Sequence, residues 1–208
     1  VGFEAGACLG IPAMTAFQAV AVAGTTQDMN VLVTGGAGGV GHYAIQFAKA
    51  RGANVLTTVS SDAKANLVRE AGADHTIDYK RDDVAARVMS LTANKGVDAI
   101  IEMDLAANAR LYPGVLRPRG HVAVYGTGSA EATIPAQQLL VNAITVQFVY
   151  VYELTAAERK SAVSAITDML ERKALINNVA LSLPLDEIVA AHEAVEQGKA
   201  MGNVVVTL

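Results

Sequence analysis

The 208-residue chain is 52% hydrophobic and 17% charged, a balance that excludes intrinsic disorder. Its net charge of −4, with no Lys/Arg run or stripe, argues against a nucleic-acid partner, and no apolar run reaches membrane-spanning length. A single cysteine, Cys8, forbids an internal disulfide and points to a reducing, cytoplasmic setting; in its apolar surroundings it reads as a small core residue.

Residues 3–23 are apolar and small, and Pro12 is expected to start or kink a helix over 13–23. A polar stretch, 24–30, leads into Val31-Leu32-Val33, a short run of the kind buried on both faces of a sheet. The helix after the following glycines reaches about Lys49, with Val40, Ala44, Phe47 and Ala48 at helical spacing. Strands are predicted at 55–59, 75–77, 97–101 and 121–125, and helices at 63–70, 82–91 and 105–116, the last interrupted by Pro113. Arg117-Pro118-Arg119-Gly120 reads as a turn, and ITVQFVYVY as one long strand over 144–152. Thr155-Ala156-Ala157-Glu158 is a capping box; its helix is expected to turn Ala162, Val163, Ile166, Met169 and Leu170 inward. This alternation predicts an α/β chain, a Rossmann-type doubly wound parallel sheet with ligands at the carboxyl ends of its strands. The tail, with strands at 179–183 and 203–208 around a helix at 185–197, does not extend that sheet.

Gly36-Ala37-Gly38-Gly39-Val40-Gly41 fits G-x-G-x-x-G between a strand and a helix, the context in which the motif marks dinucleotide binding. Gly36 is expected to make the turn, Gly38 to let the backbone approach a pyrophosphate, and Gly41 to let the helix close on the strand. The phosphates then face free N–H groups at the positive end of the helix, around Gly39 and Val40.

An NAD site places an acidic residue about 20 positions on, at the end of the second strand. Here that strand ends in Ser60-Ser61, with Lys64 on the next helical turn, so a 2′-phosphate meets hydroxyls and a cation. Asp62 could act as a ribose acid, but it lies beyond the strand end and reads rather as a helix cap. Glu102 and Asp104, which end the fourth strand, could meet ribose or water and are read rather as caps of the next helix. The four histidines, His42, His75, His121 and His192, show no metal-ligand spacing, and no acid–base pair stands out.

The segments GACLGIPAMTAF, VLVTGGAGGVGHYAIQFAKARGA, TVSSDAKANLVREAGADHTIDY, AVYGTGS and PLDEIVAAHEAVEQGKAMGNVVV resemble, in order and spacing, the zinc-independent quinone oxidoreductases of the medium-chain dehydrogenase/reductase superfamily. The resemblance implies an NADPH-dependent reductase of quinones or enones. It implies a cofactor domain over 1–178, and a segment, 179–208, that packs on a GroES-like catalytic domain not included in this sequence. A chain beginning at Val1 then reads as the excised or processed cofactor half. The same resemblance assigns Lys64 and Tyr79 to the 2′-phosphate, with Lys199 as a further candidate, and Gly126, Thr127, Phe148 and Val149 to the nicotinamide end. Thr15 matches a threonine near the cleft and reads equally as a helix threonine bonded to its own backbone. Strand 144–152 is expected to pair across a two-fold axis in a homodimer. An enoyl reductase domain of a larger synthase and a non-catalytic dinucleotide-binding module are the competing expectations.

Overall fold

Each apolar run becomes a strand whose alternate residues enter two separate cores. A computed structural model, which describes every residue except Lys199, places β1 (Asn30–Val33), β2 (Asn54–Val59), β3 (His75–Asp78), β4 (Val97–Glu102), β5 (Leu116–Val124) and β6 (Thr145–Phe148) in one sheet. All neighbours are parallel, in the order β3-β2-β1-β4-β5-β6. The helices are α1 (Phe3–Ala7), α2 (Met14–Val22), α3 (Gly39–Ala50), α4 (Asp62–Glu70), α5 (Val84–Leu91), α6 (Leu105–Asn108), α7 (Tyr112–Val115), α8 (Ala136–Val141), α9 (Ala156–Glu171) and α10 (Ile188–Glu196). Val31, Val33, Val55, Val59, Ala99 and Ile101 pack with α2, α3, α4 and α9. Leu32, Leu56, Ile77, Ile100 and Val122 pack on the opposite face with α5 to α8. Burial on both faces is what removes the polar alternation from these strands.

The chain order reverses between β1 and β4, so the crevice outside their carboxyl ends is the switch point where such sheets take ligands. The tail forms a separate parallel pair, β7 (Val179–Pro184) with β8 (Asn203–Thr207). It is tied to the main body through α3: Tyr43 donates to Asn177 Oδ1 at 2.8 Å, and Gln46 exchanges hydrogen bonds with the backbone of Ile176. His42, buried on the same helix, is held neutral by that burial, which lowers it to about 4.

Several expectations need correction. The first helical region begins well before Pro12, which lies inside a π-helical segment, Leu9–Ala13, joining α1 to α2. The 117–120 segment is the irregular early part of β5, not a free turn: its register against β4 shifts between Val97 and Ala99, and Arg119 has φ of 63°. The strand expected over 144–152 stops at Phe148, and Val151–Glu153 is a short 3-10 turn. Val149 and Val151 are buried while Tyr150 and Tyr152 are exposed, which mimics strand alternation in the sequence. The helix over 105–116 is three short pieces, with Pro113 in the first turn of α7. The capping box on α9 is present, but Val163 faces solvent.

Candidate dinucleotide site

The turn out of β1 is made by Gly35, with φ of +62°, and not by Gly36. A Cβ on Gly35 would strike the Met103 sulfur; one on Gly36 would strike the Thr57 hydroxyl of β2. β2 also holds the loop from below, since Gly35 N–H donates to Thr58 Oγ1 at 2.9 Å and Gly36 N–H to Thr58 O at 3.3 Å. Gly41 has the role expected of it. Its Cβ would lie 2.5 Å from Gly35 O and 2.9 Å from Gly36 Cα, so α3 meets the loop backbone directly. Gly38 is the N-cap of α3, in extended conformation, and its Cβ would meet only Gly35 O, at 3.3 Å. The first helical hydrogen bond runs from His42 N–H to Gly38 O, so the amides of Gly39, Val40 and Gly41 precede it and point along the helix toward the crevice.

The loops after β4 and β5 are locked together beside this turn. Asp104 caps α6, accepting from Ala107 N–H, and also accepts from Gly128 N–H at 2.9 Å. Leu105 N–H donates to Gly126 O, and a Cβ on Gly126 would strike Met103 O. Glu102 is no cap. It is fully buried beneath the crevice, where Thr34 Oγ1, the Asp104 amide and Asn108 Nδ2 donate to one oxygen and Tyr112 OH to the other.

All strands being parallel, the sequence-predicted residues come to one edge of the sheet. Ser60 and Ser61 follow β2; Tyr79, half exposed, follows β3 with its N–H on Val59 O. Gly126 and Thr127 follow β5, where the Thr127 hydroxyl donates to Ser129 O. Phe148 ends β6 and is 68% exposed, and Val149 is buried, its N–H on Val124 O. Ser61, not Asp62, is the N-cap of α4: its Oγ accepts from Lys64 N–H at 3.3 Å, which leaves the hydroxyl proton free to donate outward. Asp62 is the first residue of α4 and faces Arg81. Thr15 is buried within α2. Lys199 lies outside the described residues.

One residue at this edge escaped the sequence reading. Asn203 of β8 stands over the glycine loop, and a Cβ on Gly39 would strike its Oδ1. Asn203 is held by its own N–H and Nδ2, both donating to Asn178 O. No local signal marks it, since 164 positions separate it from Gly39. A cavity of ≈ 560 Å³ between Phe17, Phe47, Gly72, Met169 and Arg172 lies where α3 and α4 end, away from this edge. Among the described residues no three His, Cys, Asp or Glu side chains gather as metal ligands, and no helix is long and apolar enough to cross a membrane.

Comparison with known proteins agrees with this geometry. A family model described as zinc-binding dehydrogenase matches residues 39–169. A 2-haloacrylate reductase from a Burkholderia species is 32% identical over 180 residues, covering 84% of this chain and 54% of that protein. The quinone oxidoreductase of Pongo abelii is 29% identical over 209 residues, 99% of this chain and 63% of that protein. A mycobacterial protein solved in complex with NADPH superposes with a TM-score of 0.92 at 30% identity, over 100% of this chain and 66% of that one. The chain thus spans less than two thirds of these curated relatives. Glycine loop, switch point and ordered matches converge: the chain belongs to the zinc-binding dehydrogenase family, in the quinone oxidoreductase branch of the medium-chain dehydrogenase/reductase superfamily.

Proposed function

We propose that this chain is the cofactor-binding half of an NADPH-dependent reductase of quinones or related electron-poor alkenes. The observation that carries this reading is the end of β2, where Ser60 and Ser61, with Lys64 on the first turn of α4, stand where an NAD site keeps a carboxylate. The mycobacterial structure solved with NADPH supports the cofactor, and the quinone oxidoreductase and 2-haloacrylate reductase relatives support the acceptor class.

In this reading the amides of Gly39, Val40 and Gly41 hold the diphosphate, which Gly38 allows to approach. Ser60, Ser61, Lys64 and Tyr79 hold the 2′-phosphate, and Asn203 closes over the loop from the tail. Gly126, Thr127, Phe148 and Val149 line the nicotinamide end. When bound, the reduced nicotinamide supplies a hydride, which the acceptor takes with a proton from solvent. The chain's own task is positioning and exclusion of water, with no acid–base pair of its own. The 179–208 segment, with Leu185, Val189 and Val195 exposed around α10, is the face on which a further catalytic domain packs. The lone buried cysteine fits a cytoplasmic setting.

Fluorescence titration tests the cofactor. NADPH is expected to bind more tightly than NADH, and Lys64→Ala to weaken NADPH alone by about 1.5–3 kcal/mol, the loss of one charge-assisted contact. Equal affinity for both cofactors in the unmutated chain overturns the phosphate assignment.

The same reading makes the protein a homodimer through the segment 144–152. β6 is an edge strand with an open ladder, and Phe148, Tyr150 and Tyr152 are exposed on or beside it. Sedimentation is expected to show a dimer, and Gln147→Lys, which sets like charges against each other across the two-fold axis, to shift it toward monomer. A monomeric unmutated chain overturns the pairing.

A further inference from the structure

The 2′-phosphate subsite proposed above contains an apparent contradiction. Asp62 directly follows Ser61 and opens α4, so a carboxylate stands beside the place assigned to a phosphate. Left free, that carboxylate repels a 2′-phosphate and offers an acceptor to an unphosphorylated ribose, the preference of an NAD site. It is not free. Arg81, on the loop after β3, reaches across to it, with Nη1 3.4 Å from Asp62 Oδ1.

Arg81 is committed on its other side as well. Its Nε lies 3.2 Å from Asp78 Oδ2, at the end of β3. That oxygen is buried and accepts no hydrogen bond, because the guanidinium approaches it off line; the contact is electrostatic. The other oxygen, Oδ1, accepts from Lys80 N–H, and the Asp78 amide donates to Asp82 Oδ2. Arg81 therefore compensates two carboxylates, one exposed and one nearly buried.

We infer that Arg81 determines the choice between phosphorylated and unphosphorylated dinucleotide by neutralising Asp62, and that it does so without itself binding the phosphate. The inference rests on the assignment of Ser60, Ser61 and Lys64 to that phosphate. Asp62 then serves the helix, as an anion in the first turn of α4, while its charge is cancelled toward the ligand.

The test is a double-mutant cycle on the full chain, read by fluorescence titration with NADPH and with NADH. Arg81→Ala is expected to weaken NADPH about tenfold, the order expected of an uncompensated surface charge facing a near-dianionic phosphate. NADH affinity stays the same or rises. Asp62→Asn added to Arg81→Ala restores most of the NADPH affinity, which a fold defect or a lost phosphate contact does not allow. If Arg81→Ala weakens NADPH and Asp62→Asn fails to restore it, Arg81 binds the phosphate directly and the inference is overturned. If Lys64→Ala weakens NADPH while Arg81→Ala does not, the inference fails and the phosphate assignment stands. If neither substitution matters, the phosphate lies elsewhere and both fall.

Discussion

Glu102→Ala is expected to cost the fold about 3–5 kcal/mol, the sum over the buried neutral donors that lose their acceptor. The carboxylate is inaccessible to solvent and receives four donors from three places in the chain. Thr34 comes from the end of β1, at 2.8 Å; the Asp104 amide and Asn108 come from the N-cap and the last residue of α6, at 2.7 and 2.9 Å; Tyr112 comes from α7, at 3.2 Å. Alanine leaves the Asp104 amide, Asn108 and Tyr112 without an acceptor, at about 1–3 kcal/mol for each that water cannot reach, while the Thr34 hydroxyl keeps Ile101 O at 3.2 Å. The damage falls under the crevice, because Thr34 also accepts from Met103 N–H, and the Met103 sulfur lies over Gly35. Urea denaturation measures the loss; a change below about 1 kcal/mol would show that the network closes on itself or on water.

Glu102→Gln separates charge from shape at the same place. Burial raises the Glu102 carboxyl above its ordinary value, by more than the hydrogen bonds from Asn108, Asp104, Thr34 and Tyr112 lower it. A raised folded value means that the stability linked to this group is fully present below the unfolded carboxylate range and is lost as pH rises through the folded value. The glutamine variant has no such titration. The advantage of glutamate over glutamine is therefore expected to shrink as pH rises above the ordinary carboxylate range and through the raised folded value. A difference that stays flat with pH would mean that the four donors fully offset the burial.

What the sequence makes legible is what local chemistry determines. Val31-Leu32-Val33 and its counterparts are apolar throughout because both faces of the sheet are covered, and the glycines between β1 and α3 announce their turn. The capping box at Thr155 forms because its partners are three residues apart. The misreadings occur where a local pattern has two physical causes. Val149-Tyr150-Val151-Tyr152 alternates in burial as a strand does, yet a 3-10 turn at an edge produces the same alternation. Asp62 and Ser61 are both good caps, and only the backbone shows that Ser61 takes the position. Asn203 over Gly39, and Arg81 on Asp62, depend on where the tail and the loop after β3 are placed, which no spacing in the sequence encodes.

Gly38→Ala and Gly41→Ala, two substitutions three residues apart in one loop, are expected to fail in different ways. A methyl on Gly41 enters backbone, 2.5 Å from Gly35 O, 2.9 Å from Gly36 Cα and 3.1 Å from Gly35 C. None of these atoms can rotate aside, so α3 and the loop must separate, at about 1–3 kcal/mol of stability. Binding falls with it, because the amides of Gly39 and Val40 move with the helix. A methyl on Gly38 meets only Gly35 O, at 3.3 Å, and the residue already has the extended backbone of an N-cap, which alanine adopts freely. Its stability is expected to change by less than about 1 kcal/mol, the few tenths of a mild N-cap change plus slight crowding. Its NADPH affinity is expected to fall at least as far as that of Gly41→Ala, since the methyl occupies the approach of the diphosphate. Thermal melts and NADPH titrations on the two variants give four numbers. Equal stability losses would mean that the loop yields as one unit. Undiminished NADPH binding by Gly38→Ala would move the diphosphate away from this turn, and the reading of the whole edge with it.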